Sequence, residues 1–264
     1  MLQDLQRVYL KSLKNTFKKI GKNPIVLIMP ILFSLATNGF YLLYTLFLGG
    51  TILDGIIFAI VEALFLSCYF ALMSDLIYYD RMSLKYFSSN FTKYFRQVYS
   101  VFFIIFIASI IFGQTLASSL GSTPYYVISL ILYLGFNPLA EEVYIKGNYH
   151  INAFEDAFLF MRENFVHWII PLIIYLGIGY GIGAVQIPGI TISDLIYIPT
   201  GFFDFSLPAG YIDTWSVFTT AGGSILFTVL FSIISAIYAV FRGCLFRILD
   251  GSSMRKRSYG WYND

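Results

Sequence analysis

ILDGIIFAIVEALFLSCYFALMSDLIYY, residues 52–79, decides the class of this protein. Between Asp54 and Asp75 its only charge is Glu62. A helix needs about 20 mostly apolar residues to cross a hydrocarbon core about 30 Å thick, and this run meets that need. Five more stretches do the same: 24–49, 98–120, 124–148, 165–186 and 219–248. Backbone groups in lipid must pair within their own segment, so such runs are expected to be helices. The strict two-residue alternation of a membrane barrel is absent. Composition agrees, with 58% hydrophobic and 12% charged residues among 264, against about 25% charged in a soluble domain. That excludes an ordinary soluble enzyme, a disordered chain and a secreted disulfide scaffold. A net charge of +2 is too mild to suggest nucleic acid. The expectation is an all-α polytopic membrane protein with six transmembrane helices.

The basic residues set the orientation. Arg7, Lys11, Lys14, Lys18, Lys19 and Lys22 precede the first span, and Arg81, Lys85, Lys93 and Arg96 separate the second from the third. Lys146 and Arg162 lie between the fourth and fifth, while Arg242, Arg247, Arg255, Lys256 and Arg257 close the chain. These are all 17 Lys and Arg, and the opposite connections 50–52, 121–123 and 187–218 carry none. The positive-inside rule then places both termini in the cytoplasm of a cell-membrane protein. The first apolar run follows a polar stretch with no small-residue cleavage site, so no cleavable signal peptide is expected.

Each odd-numbered span is preceded by an amphipathic stretch. Leu2, Leu5, Tyr9, Leu13, Phe17 and Ile20 recur every three or four residues before span one, with Lys11, Lys14 and Lys18 on another stripe. Leu84, Phe87, Phe91, Phe95 and Val98 repeat this before span three, and Phe154, Phe158, Met161 and Phe165 before span five. That period suits a helix lying in the membrane interface. Phe17, Ile20, Asn23 and Pro30 share their spacing with Phe158, Met161, Asn164 and Pro171. The middle copy keeps Phe91 and Tyr94, with Gln97 in place of Asn. Three units follow, about 2–80, 82–150 and 152–250, each an interfacial helix and a two-span hairpin. All three enter from one side, so they would be related by a pseudo-threefold axis along the membrane normal.

Arg162-Glu163-Asn164-Phe165, and more weakly Lys22-Asn23-Pro24, carry a resemblance. With six spans in three hairpins, the chain resembles the membrane domain associated with bacterial glycerophosphoryl diester phosphodiesterases and its stand-alone bacterial and archaeal relatives. The resemblance covers most of the chain and implies the six-helix fold; a phosphodiesterase domain is not expected here. Fold alone implies little about activity.

Charges inside spans cost about 2.5–3.5 kcal/mol at the helix centre, so each is a functional candidate. Glu62 is the deepest. Asp75, Glu141, Glu142 and Arg242 fall near the cytoplasmic ends of the even spans, where Arg242 would bridge carboxylates as a latch or gate. Adjacent Glu141 and Glu142 point about 100° apart, so at most one joins such a network. Glu142 and Lys146 form an i,i+4 pair that by itself accounts for both. Asn137 to Gly147 also resembles the Glu-Glu-x-x-x-Arg-Gly segment of the intramembrane prenyl-endopeptidase family. Lys146 replaces the arginine, however, and no histidine-bearing helix follows, since His150 and His167 sit at the cytoplasmic boundary. No base constellation results, and no enzyme activity is expected. Two histidines 17 positions apart give no metal site, and no cofactor is expected. Cys68 and Cys244 are expected to be packing residues.

Segment 187–218 is apolar yet broken by Pro188, Pro199 and Pro208, so it is expected on the outer surface or as a re-entrant segment. Arg255, Lys256 and Arg257, with Lys11, Lys14 and Lys18, should hold anionic lipid at the cytoplasmic face at about 1 kcal/mol each. The functional expectation is a transport- or lipid-related membrane protein working through a polar site within the bundle. An alternative is the permease subunit of an export-type ABC transporter, which needs an ATPase partner because this chain has no phosphate loop. Another is an accessory or immunity protein acting through a membrane-protein partner.

Overall fold

The computed structural model describes residues 2–48, 54–82, 87–111, 122–181 and 225–252, which are helical almost throughout, with no strand among them. The helices are α1 (Leu2–Lys22), α2 (Met29–Leu48), α3 (Asp54–Tyr79), α4 (Phe87–Lys93), α5 (Phe95–Ile111), α6 (Ser122–Gly135), α7 (His150–Gly181) and α8 (Ile225–Leu249). A 3-10 turn, Pro24–Leu27, joins α1 to α2, and a short turn Leu139–Glu141 runs into a single π turn, Glu142–Lys146. Among the described residues four helices are long and apolar enough to cross a membrane, or five if one bent pair is a span. That pair is Pro124–Gly135 with Leu139–Lys146, bent by 41°. The helix expected over 124–148 is thus bent in the middle. Pro138 has no N–H to continue the ladder and restricts Asn137 before it. The third expected span is seen as α5 as far as Ile111; residues 112–120, segment 187–218 and the Arg255-Lys256-Arg257 tail lie outside the described residues.

α3 is the hub. Phe33 of α2 meets Tyr69 edge-on at 5.7 Å, and Phe58 packs between Tyr41 and Tyr44 at 4.5 and 5.0 Å. At the opposite end of α3, Gly243 of α8 lets the backbone close in. A Cβ there would lie 2.8 Å from both Ile77 Cδ1 and Tyr144 Oη. Close approach through small residues is how helices gain packing where lipid supplies no hydrophobic drive between them.

Three helix breaks share a logic. Asn23 leaves helical geometry (φ −137°) and its Nδ2 donates to Lys19 O at 3.1 Å. Asn164 does the same inside α7 (φ −122°), donating to Phe160 O at 3.3 Å. Both side chains return to the carbonyl four residues back. At the α4–α5 break a different side chain intervenes. Ser67 Oγ accepts Tyr94 N–H at 2.9 Å and donates to Asn90 O at 3.3 Å, standing between two groups that a continuous helix would pair. A side chain inserted into the ladder is a recognised cause of kinks. Pro171 lies seven residues after Asn164 and cannot bond the His167 carbonyl; Tyr9 of α1 takes that carbonyl with its hydroxyl at 3.0 Å.

α1 presents three faces. The buried one is Asp4, Leu5, Val8, Ser12, Thr16 and Lys19, while Leu10, Leu13 and Phe17 are exposed. Lys11, Lys14 and Lys18 form a third, exposed face. At 100° per residue the three faces are roughly 120° apart. The apolar stripe of the sequence divides between two of them: Leu5, Tyr9 and Ile20 pack on the protein, and Leu13 and Phe17 do not. In α7 the pattern recurs: Ala153, Ala157, Phe160 and Asn164 are buried, and Phe158 is half exposed.

Candidate functional site

Arg242, 1% exposed, projects from α8 into the angle made by the Asn137-Pro138 bend. Its Nε donates to Glu141 Oε1 at 2.8 Å and its Nη2 to Glu141 Oε2 at 2.6 Å. That bidentate fork is the strong form of the pair. Nη2 also donates to the Asn137 carbonyl at 2.8 Å, and Asn137 Oδ1 accepts the Trp168 indole N–H at 2.8 Å. The guanidinium lies over the Trp168 ring at 4.8 Å and near the Tyr238 ring at 5.6 Å. Tyr238 stacks on Tyr175 at 4.1 Å, and the Tyr175 hydroxyl meets Ser235 Oγ at 2.8 Å. Cation–π contact and a fork-to-fork ion pair together offset desolvation that would otherwise cost several kcal/mol per ion.

Two donors of this centre have no hydrogen-bond partner among the described residues: Arg242 Nη1 and Asn137 Nδ2. They belong to residues already joined through the Arg242–Asn137 carbonyl bond. Chemically the centre offers N–H donors in an aromatic frame, a setting for an acceptor oxygen such as that of a carboxylate, phosphate, carbonyl or water.

The other expected candidates are distributed around it. Asp75 pairs with Lys93 at 3.2 Å and does not meet Arg242. Glu142 is fully buried and bonds Lys146 at 3.1 Å and Asn148 Nδ2 at 2.9 Å. Lys146 also reaches Asp250 at 2.9 Å. Glu62 is half-buried on α3, about 10 Å along the helix from Tyr69, the α3 residue that interacts with the Glu141 charge. Lys11, Lys14 and Lys18 are exposed on α1. The structure therefore joins Arg242 to one carboxylate and gives the other acids separate partners.

Sequence reasoning missed several members. Asn137 and Trp168 carried no charge to flag them, although a polar residue directly before Pro138 was a usable signal. His167, taken as a boundary residue, is buried, its Nε2 2.9 Å from Asp4 Oδ2 of α1. Cys68 and Cys244 are both buried and free. No protein-family model, curated protein or solved structure matches the chain. The resemblance to the phosphodiesterase-associated membrane domain therefore rests on the residues quoted for it alone.

Proposed function

We propose that this chain is a six-span integral protein of the cell membrane, built as three repeated hairpins with both ends cytoplasmic. It serves a transport- or lipid-related role through the Arg242 centre. The observation that carries the functional reading is the pair of buried donors, Arg242 Nη1 and Asn137 Nδ2, left open beside a fully engaged ion pair. A buried donor without an acceptor costs about 1–3 kcal/mol, so a ligand oxygen that fills the position gains affinity there. Support for the repeat comes from α1 and α7. Both break at an asparagine bonded to the carbonyl four residues back, and both bury the matching positions, Ser12, Thr16 and Lys19 against Ala153, Ala157 and Phe160.

The ligand experiment uses the protein in neutral-lipid nanodiscs, screened by thermal shift against lipids and small solutes bearing carboxylate, phosphate or carbonyl groups. A compound that raises the melting temperature should lose that effect in Asn137→Leu, which removes one open donor at similar volume. Flux of the same compound in sealed vesicles separates transport from binding. If folded protein responds to nothing in the panel, or Asn137→Leu keeps every response, the polar-site reading fails.

Topology has its own test. Reporters fused at the ends and in 187–218 should show both ends cytoplasmic and 187–218 on the opposite side. An end reported outside overturns the three-hairpin arrangement.

A further inference from the structure

Where α1, α3 and α8 end together, the protein forms a half-open cavity of about 280 Å³ whose polar lining is Asn15, Lys18, Lys19, Asp80 and Arg247. Asp80 is the carboxylate of this lining. Three lysines of α1 surround it: Lys19 in direct contact, Lys22 at 3.4 Å and Lys18 at 3.9 Å. Lys19 is committed, since its ammonium also donates to Leu76 O and Ile77 O, both at 3.0 Å. Arg247 donates one N–H to Ile77 O at 2.6 Å and stacks over Tyr78 at 4.7 Å, which leaves most of its fork undirected. Lys18 and Lys22 are more than half exposed. Three lysines thus gather on one acid, two of them only loosely, and Arg247 lines the cavity beside them.

We infer that this cavity is a binding site for a phosphate group, and that its source is the headgroup of an anionic membrane lipid. The chemistry favours phosphate. A guanidinium fork and the mobile Lys18 ammonium line one volume, with Lys22 beside it on Asp80, an arrangement suited to multidentate capture of phosphate oxygens. The volume falls at the lower limit of small-molecule pockets, so it holds a headgroup and excludes a whole lipid. The lipid source follows from α1, which lines the cavity with Lys18 and exposes Leu13 and Phe17 on another face. A helix wetted on one side and apolar on the next sits at headgroup depth. Basic pockets between helices at the cytoplasmic side are where lipid headgroups bind. The lipid assignment rests on the proposed membrane placement; the phosphate assignment rests on the cavity alone.

The test compares binding of phosphatidylglycerol, phosphatidylcholine and inorganic phosphate to the purified protein, by thermal shift and by native mass spectrometry of retained lipid. Wild type should be stabilised by phosphatidylglycerol and hardly by phosphatidylcholine. The double variant K18E/K22E should bind phosphatidylglycerol about tenfold more weakly or worse and by several-fold more than K11E/K14E, which makes the same charge change on the same helix away from the cavity. Both pairs are exposed, so each variant is expected to fold. Equal loss in the two variants would overturn the site in favour of a diffuse basic surface. Stabilisation by inorganic phosphate as strong as by the lipid, and lost only in K18E/K22E, would uphold the phosphate site and overturn its lipid source. A spin label at Phe17→Cys reports membrane placement separately through its oxygen and nickel accessibility. An aqueous label would overturn the membrane reading without touching the cavity.

Discussion

Replacing Arg242 with methionine is expected to cost about 3–5 kcal/mol of stability, the range seen when one partner of a buried ion pair is removed. Glu141 is 2% exposed and both its oxygens bond the arginine. Without that fork its charge would stay buried with no counter-ion, and the Asn137 carbonyl would lose its 2.8 Å donor. Glu141→Gln should cost less, because the guanidinium keeps that carbonyl and the Trp168 face. The double variant Arg242→Met with Glu141→Leu should recover most of the loss, since apolar pairs of similar volume replace buried ion pairs with little penalty. Size-exclusion thermostability in one detergent, run on the four proteins, gives the coupling energy directly. A double variant as unstable as Arg242→Met would show that the ion pair is not the origin of the effect.

Lys19→Met carries the second-largest expectation, about 2–3 kcal/mol. Its ammonium has three protons, and the structure directs them to Leu76 O, Ile77 O and Asp80. These carbonyls keep second donors, Asp80 N–H on Leu76 O at 3.2 Å and Arg247 on Ile77 O at 2.6 Å, so what the variant removes is the ammonium's own bonds and a cation that complements the helix dipole. Hydrogen bonds from a charged donor contribute about 1.5–3 kcal/mol, without full additivity. Lys18→Met is the comparison: its exposed contact to Asp80, at 3.9 Å, should contribute less than about 0.5 kcal/mol. The hydrogen bond from Lys19 holds the Asp80 carboxyl below its ordinary value of 3.8. A depressed carboxyl contributes stability that is complete above its unfolded value and lost as pH falls through the folded one. The gap between wild type and Asp80→Asn should therefore be constant from about pH 5 upward and narrow below about pH 4. A gap that widens on acidification would mean Asp80 is not held as a carboxylate by Lys19.

The helical class was legible because a run such as Asp54–Tyr79 has no other way to satisfy its backbone in lipid. The polar residues worth naming were legible too, because charge is scarce where it is expensive. Their pairing was not. Nothing local tells which of Glu141 and Glu142 faces Arg242; the bend at Pro138 and the π turn at Glu142–Lys146 set that. At the turn that follows, Gly147 takes φ 75° and its N–H returns to Val143 O, the bond of an αL cap, while Asn148 N–H reaches back to Glu142 O. In α1 the apolar stripe divides: Leu5, Tyr9 and Ile20 pack on the protein while Leu13 and Phe17 are exposed. The docking face is completed by Val8, Ser12 and Thr16, small residues that an apolar period does not mark. Lys19 and Asp80 were invisible for another reason. Both looked like ordinary basic and acidic residues of a solvated connection, and only the convergence of three helix ends gives them partners.

α1 also has a history in time. It is synthesised before the groups that hold it: Leu76 and Ile77 of α3, His167 of α7, Phe241 of α8. At about 5–20 residues per second, synthesis from α1 to α8 takes on the order of tens of seconds. Through that interval its serine and threonine face has no docking surface. α1 is the clasp of this protein, made before its partners and fastened after them, and an interrupted chain would display it open to whatever quality-control machinery inspects unfinished proteins.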